Sequence, residues 1–242
     1  MKLVTLLLIA VPAILSLSSC KKNCTCLCPQ QDSVKTLTLQ PGPKDGQDCI
    51  VASRQGDGGL NAGANHNSNP DIDACQWTYG AEGWGEGTNR VYIKFSDLST
   101  IPKSAIVKSA KLSLYGGTSS VASPQGNSYY PGSPYNSYGD NKCWLKRVVT
   151  GNWNESTITW NNKPGVTEID KVEVPASTSQ WSYNVVDLDV TAMVKAMVTE
   201  NKNYGFLFQL QSEKIYKNLV FLSSSASDAS KRPKLIVEYR EQ

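Results

Sequence analysis

Short runs in which apolar and polar residues alternate constrain this chain more than any other feature. In Ile106–Tyr115, Ala110, Leu112 and Leu114 oppose Lys111, Ser113 and Tyr115, and in Val91–Phe95, Val91, Ile93 and Phe95 alternate with Tyr92 and Lys94. A period of two sends one set to a buried face and the other outward, the pattern of a half-buried strand. The same reading places strands at Val34–Leu39, Cys49–Ser53, Cys143–Val149, Thr157–Trp160, Lys171–Val174, Ser182–Val186, Gly205–Gln209, Leu219–Leu222 and Lys234–Tyr239. Short strands punctuated by turn residues predict an all-β sandwich and not alternating βαβ units. One stretch departs from the rule. Val190, Met193, Val194, Met197 and Val198 recur at helical spacing behind Asp189, predicting one short helix whose apolar stripe lids the core.

The N-terminus reads as a targeting segment. Leu3–Leu17 is apolar apart from Thr5 and Ser16 and runs into Leu17-Ser18-Ser19-Cys20, which resembles a bacterial lipobox. The expected organisation is a lipoprotein signal peptide at 1–19, a Cys-rich tether at 20–33 and one β-sandwich at 34–242. Acylation of Cys20 would hold the chain to a lipid bilayer, at about 0.8 kcal/mol per buried methylene. The expected location is the cell envelope, lipid-anchored to the outer membrane, with the extracellular or periplasmic face left open. A net charge of +3, with no basic run outside Lys21-Lys22, argues against a nucleic-acid partner.

Six further cysteines follow Cys20. Cys24, Cys26 and Cys28 have the wrong spacing for a zinc knuckle and read as tether cysteines. Cys75 with Cys143 is the expected disulfide, because each borders a long loop that a staple would hold.

Two stretches read as long insertions. Residues 56–89 are Gly-rich and contain Trp77, Tyr79 and Trp84 beside Gln76 and Asn89. Aromatic faces stack on the C–H face of a sugar while amides bind its hydroxyls, so these three rings are candidate ligand contacts. Residues 116–141 hold Tyr129, Tyr130, Tyr135 and Tyr138 among Gly, Ser, Pro and Asn. Arg90, Lys94 and Lys111 point away from buried strand faces, and side by side they would form a basic strip for an acidic ligand.

Catalytic constellations are sparse. His66 is the single histidine, and the pairs Asp71/Asp73 and Asp187/Asp189 read as turn and cap residues. No metal ligand set is evident and no cofactor is expected; a structural calcium near Asp45, Asp48 or Asp57 stays open.

The segment Trp153–Pro164, W-N-E-S-T-I-T-W-N-N-K-P, stands out. With Asp48-Cys49-Ile50, Asn61-Ala62-Gly63, the block Arg90–Phe95, Asp97–Pro102, Ser109–Tyr115, Asp189-Val190-Thr191 and Arg232–Val237, it resembles the DNRLRE-domain family, catalogued as carbohydrate-binding module family 96. The resemblance spans residues 48–239. Ser96, an extra residue against the family pattern, is expected to form a bulge. The resemblance implies a jelly-roll β-sandwich and non-catalytic binding of a polysaccharide, acidic glycans such as alginate being among the ligands it suggests. The alternative it leaves is a structural or adhesion lipoprotein with a protein partner. Within the signature, Trp153, Glu155, Trp160 and Pro164 read as structural, because alternation sets Trp160 beside Ile158.

Overall fold

The computed structural model describes residues 33–242 apart from Ser68. The expected signal peptide, the acylation site Cys20 and the tether cysteines lie outside the described residues. The elements are β1 (Lys35–Leu39), β2 (Gly46–Arg54), a single turn α1 (Leu60–Gly63), β3 (Asp71–Thr78), β4 (Glu86–Phe95), β5 (Ile106–Tyr115), β6 (Cys143–Arg147), β7 (Val172–Val174), β8 (Asn184–Asp189), α2 (Thr191–Glu200), β9 (Phe206–Leu210), β10 (Lys217–Leu222) and β11 (Lys234–Arg240).

They form an all-β sandwich. A four-stranded sheet has the order β1-β11-β5-β8; a seven-stranded sheet runs β10-β3-β4-β9-β6-β7, with β2 also paired to β4. All the strand pairs are antiparallel. The chain crosses between sheets from β1 to β2, β4 to β5, β5 to β6, β7 to β8, β8 to β9 and β10 to β11. First and last strands lie side by side. That interleaving of β1-β11-β5-β8 with β4-β9-β6-β7 is the jelly-roll arrangement the alternation and the resemblance had suggested.

Alternation explains the core. Ala110, Leu112 and Leu114 of β5 and Leu235 and Val237 of β11 meet Ile50, Val91, Ile93, Phe95, Phe206 and Phe208 of the other sheet, all buried. The expected helix stripe is buried with them, from Val190 through Val198. Asn201, in left-handed conformation, ends the helix. Gly205 then brings the chain against β4, where an added Cβ would lie 2.3 Å from the Ile93 carbonyl oxygen.

Several expectations are corrected. Residues 56–89 are not one long insertion, since β3 lies within them, paired to β10 and β4. Its aspartates are strand residues and not turn residues; both are buried. Residues 157–160 form turns and not a strand, because asparagine side chains capture the local backbone: Asn154 Oδ1 accepts from Ser156 N at 2.8 Å and Asn162 Oδ1 from Thr159 N at 2.7 Å. Cys75 and Cys143 are free, buried thiols and no disulfide joins them. In strand order β4 and β9 stand between β3 and β6, so the two residues lack the close adjacency, Cα atoms within ~7 Å, that a bridge requires. Ser96 opens a 3₁₀ turn, Ser96–Thr100, after β4 ends, and is not a bulge.

Candidate functional site

The outward face of the seven-stranded sheet carries its own apolar cluster. Cys49 and Val51 of β2, Tyr92 of β4 and Leu207 of β9 are covered by Val148, Trp153 and Ile158, with Trp160, Val166 and Tyr204 around them. The signature segment is thus a loop that seals the sheet's outer side. Polar bonds hold it against the sheet. Trp153 Nε1 donates to the Tyr204 carbonyl at 2.8 Å, and Tyr92 OH donates to the Pro164 carbonyl at 2.7 Å. Asn65 Nδ2 donates to the Glu155 and Ile158 carbonyls, both at 2.7 Å. The structural reading of Trp153 and Pro164 therefore holds, although the segment packs outside the sandwich and not within it.

Where this loop meets the ends of β2 and β4 it leaves a polar cleft of about 370 Å³, lined by Gln47, Lys94, Asn152, Trp153, Asn154, Thr157, Ile158 and Asn162. Four amide side chains and a hydroxyl offer donors and acceptors together, as a polyhydroxylated ligand requires. Lys94 supplies the charge. The residue is only 8% exposed, and its Nζ donates to Asn152 Oδ1 at 2.8 Å and reaches Gln47 Oε1 at 3.5 Å. Both partners are neutral. Among the described residues no carboxylate lies within ion-pair distance of this ammonium, and burial holds its pKa below the ordinary lysine value.

The other expected site residues are placed differently. Arg90 lies on the same outward face as Lys94, but its guanidinium forms a two-point ion pair with Glu213 at 2.7 and 2.9 Å. It also sits 4.8 Å from the centre of the Trp160 ring. Lys111 is on the other sheet and pairs with Asp189 at 2.8 Å. The single basic strip is thus overturned, because the jelly roll puts β4 and β5 in different sheets. Tyr79 is capped by Arg54, 3.8 Å from its ring centre. Trp84, half-buried, sits at the tip of the turn joining β3 to β4, its amide donating to the Tyr79 carbonyl at 3.0 Å. Trp77 is brought to the tyrosine insertion: its ring meets Tyr135 edge-on at 4.8 Å and Tyr216 at 5.1 Å.

That insertion is held by buried polar bonds. Asp71 accepts from the amides of Val121 and Ala122 at 2.7 and 2.9 Å; Asp73 accepts from Ser123 Oγ at 2.6 Å and from Asn89 Nδ2 at 2.9 Å. Asn218, fully buried, donates to the Gly126 carbonyl at 2.7 Å. Burial raises the Asp73 carboxyl above its ordinary pKa.

Glu155 of the signature loop and Asp48 of β2 form a pair of interacting carboxylates. Glu155 is pushed up to about 7, first by burial and then by the charge of Asp48. Asp48, itself raised to about 6 by burial, accepts from Ser224 N at 2.7 Å. Asp57 is engaged by Gly59 N and by Asn61 N and Nδ2. Among the described residues no three His, Cys, Asp or Glu side chains converge as a metal site. His66 has its Nε2 buried without a partner, and burial lowers its pKa. The cleft-lining Gln47, Asn152, Asn154 and Asn162 went unread in the sequence; the Asn-Trp-Asn triplet at 152–154 was the available signal.

Comparison with known proteins fits this geometry. The model of carbohydrate-binding module family 96 matches residues 78–239. Over 155 residues, 63% of the chain, it is 34% identical to the tRNA3(Ser)-specific nuclease WapA of Bacillus spizizenii and 32% identical to the tRNA nuclease WapA of Bacillus subtilis strain 168. It spans 6% of the length of each of these relatives, which are much larger proteins. The signature loop, the jelly roll and the family match agree, and the chain belongs to carbohydrate-binding module family 96.

Proposed function

We propose that this chain is a non-catalytic polysaccharide-binding protein of the cell envelope, anchored to the membrane through acylated Cys20, and that its glycan is acidic. The observation that carries the glycan class is Lys94. It is a nearly buried ammonium with neutral amide partners, at a cleft lined by groups suited to sugar hydroxyls. A uronate carboxylate would complete its coordination, and the neighbouring asparagines would fix the ring's hydroxyls. Arg90 and Lys111 already have carboxylate partners, which leaves Lys94 as the expected cation still to be neutralised. The non-catalytic reading is supported by how the acidic groups are used: Asp71 and Asp73 hold a loop, and Asp189 pairs with Lys111.

Lys94→Met tests the reading by affinity electrophoresis in alginate and pectin. A charge-assisted hydrogen bond of about 1.5–3 kcal/mol corresponds to a loss of roughly tenfold or more. Binding to neutral glycans would change little. Affinity also falls at alkaline pH, and sooner than for an ordinary lysine, because burial holds this pKa down. Unaltered retardation by Lys94→Met would sink the acidic-glycan site; release of reducing ends or unsaturated products from the polysaccharide would sink the non-catalytic role. Cys20→Ala should leave the protein unacylated and release it from membranes.

A further inference from the structure

Aromatic side chains in this molecule divide by what their polar tips touch. Trp153, Tyr92 and Tyr183 each donate to a backbone carbonyl. Trp77, Tyr135, Tyr138 and Tyr216 do not: among the described residues, none of their indole or phenol groups has a protein hydrogen-bond partner, and none is sealed from solvent. These four rings are assembled around Tyr216. It meets Trp77 edge-on at 5.1 Å, Tyr138 edge-on at 4.8 Å and Tyr135 stacked at 5.8 Å, while Tyr138 remains 43% exposed. Tyr216 itself has φ 62°, a left-handed conformation that is unfavourable for a bulky side chain.

Lys217 follows directly. Four cations of the described residues are buried: Lys94, Lys146, Arg147 and Lys217. Lys146 pairs with Glu168 and Arg147 with Glu200. Lys217, 6% exposed, has no carboxylate within ion-pair distance among the described residues. Its ammonium lies under the turn after Tyr138, where Gly139, at φ 89°, would carry a Cβ 3.4 Å from Nζ. The molecule thus repeats, on unrelated residues, the pairing of an unneutralised buried lysine with groups that suit a sugar.

We propose that the ring cluster around Tyr216, with Lys217, is a second glycan-binding site, taking the apolar face of a sugar ring on its tyrosines and an acidic substituent on Lys217. It stands apart from the Lys94 cleft. Trp77 is the register partner of Gly87 at one end of β4, whereas Lys94 is near the other, about 23 Å away at ~3.3 Å per residue. The covering loops also lie on opposite faces of β4. Asn89 bonds Asp73 and through it Ser123 of the tyrosine insertion; Tyr92, of opposite alternation, bonds Pro164 of the signature loop. One domain would therefore hold two chain segments and cross-link polysaccharide.

The inference rests on the acidic-glycan reading, and one titration separates the two. The full chain and its variants are titrated calorimetrically with a short alginate oligosaccharide. Two ligands per wild-type domain are expected, one after Tyr138→Ala or Lys217→Met, one after Lys94→Met, and none in the combined variant. A single ligand, lost in Lys94→Met and untouched by Tyr138→Ala and Lys217→Met, would overturn the second site and leave the cleft standing. Binding lost in Tyr138→Ala but kept in Lys94→Met would uphold the ring cluster and overturn the cleft. No heat from the wild type would overturn both. Tyr138 is chosen over Tyr216 because its exposed ring can be removed with little effect on folding.

Discussion

The two loops that cover β4 use the same residue types to opposite ends. In the signature loop, Trp153 is 7% exposed, its indole nitrogen is satisfied by a carbonyl, and Ile158 packs beside it. In the tyrosine insertion the fixed part is polar: Ser123, Asn127 and Asn141 are buried and hydrogen-bonded, while the tyrosines lie outside with open hydroxyls. One loop is anchored by its aromatics and presents amides to the cleft. The other is anchored by its amides and presents aromatics. The same residue type thus serves as an anchor where its polar tip is bonded and as an exposed ring where it is not.

Removing an anchor should cost far more stability than removing a presented ring, and this gives the comparison its sharpest test. Trp153→Ala should lower stability by about 3–5 kcal/mol in denaturant melts, since a large buried side chain and its hydrogen bond are lost together. Asp73→Ala, the anchor of the other loop, should cost about 2–3 kcal/mol by leaving Ser123 and Asn89 without their acceptor, and proteolysis should then cut within 116–141. Glu155→Gln addresses the signature loop through pH. The folded-state pKa of about 7 lies above the ordinary carboxyl value, so burial favours the protonated form. Stability is therefore complete in acid and declines as pH rises through 7, a loss that Asp48 shares through its own value of about 6. The variant should melt higher than wild type at pH 8, by roughly 1 kcal/mol after allowing for solvent screening, and no higher at pH 4. Smallest of all, Tyr138→Ala should shift stability by no more than about 0.5 kcal/mol. A large loss there, or a negligible one for Trp153→Ala, would break the division between anchoring and presenting aromatics.

Much of the frame could be read from the residues. β5 is legible with its boundaries, and the stripe Val190–Val198 gives the helix, because each buries one face against a uniformly apolar core. β3 escaped because both of its faces are covered: Ile72 and Ala74 enter the core, and Asp71 and Asp73 are buried by a loop that arrives from elsewhere in the chain. Buried aspartates look like turn residues until their partners are known. The signature segment misled in the other direction, since Ser156, Ile158 and Trp160 fit a strand period while Asn154 and Asn162 were already committed to turns.

The amino-acid order by itself determined the class of fold, the helix and the family, because those follow from local periodicity and from a set of short patterns kept in sequence. It also named Trp77 and Lys94, yet could not say what each would meet. Tertiary structure decided that Arg90 and Lys111 are neutralised by Glu213 and Asp189, that Lys94 and Lys217 have no carboxylate partner among the described residues, and that Cys75 and Cys143 stay apart. The physical reason is that charge neutralisation, solvent exclusion and thiol pairing depend on distances between segments far apart in the chain, and those distances exist only once the sheets have closed on one another.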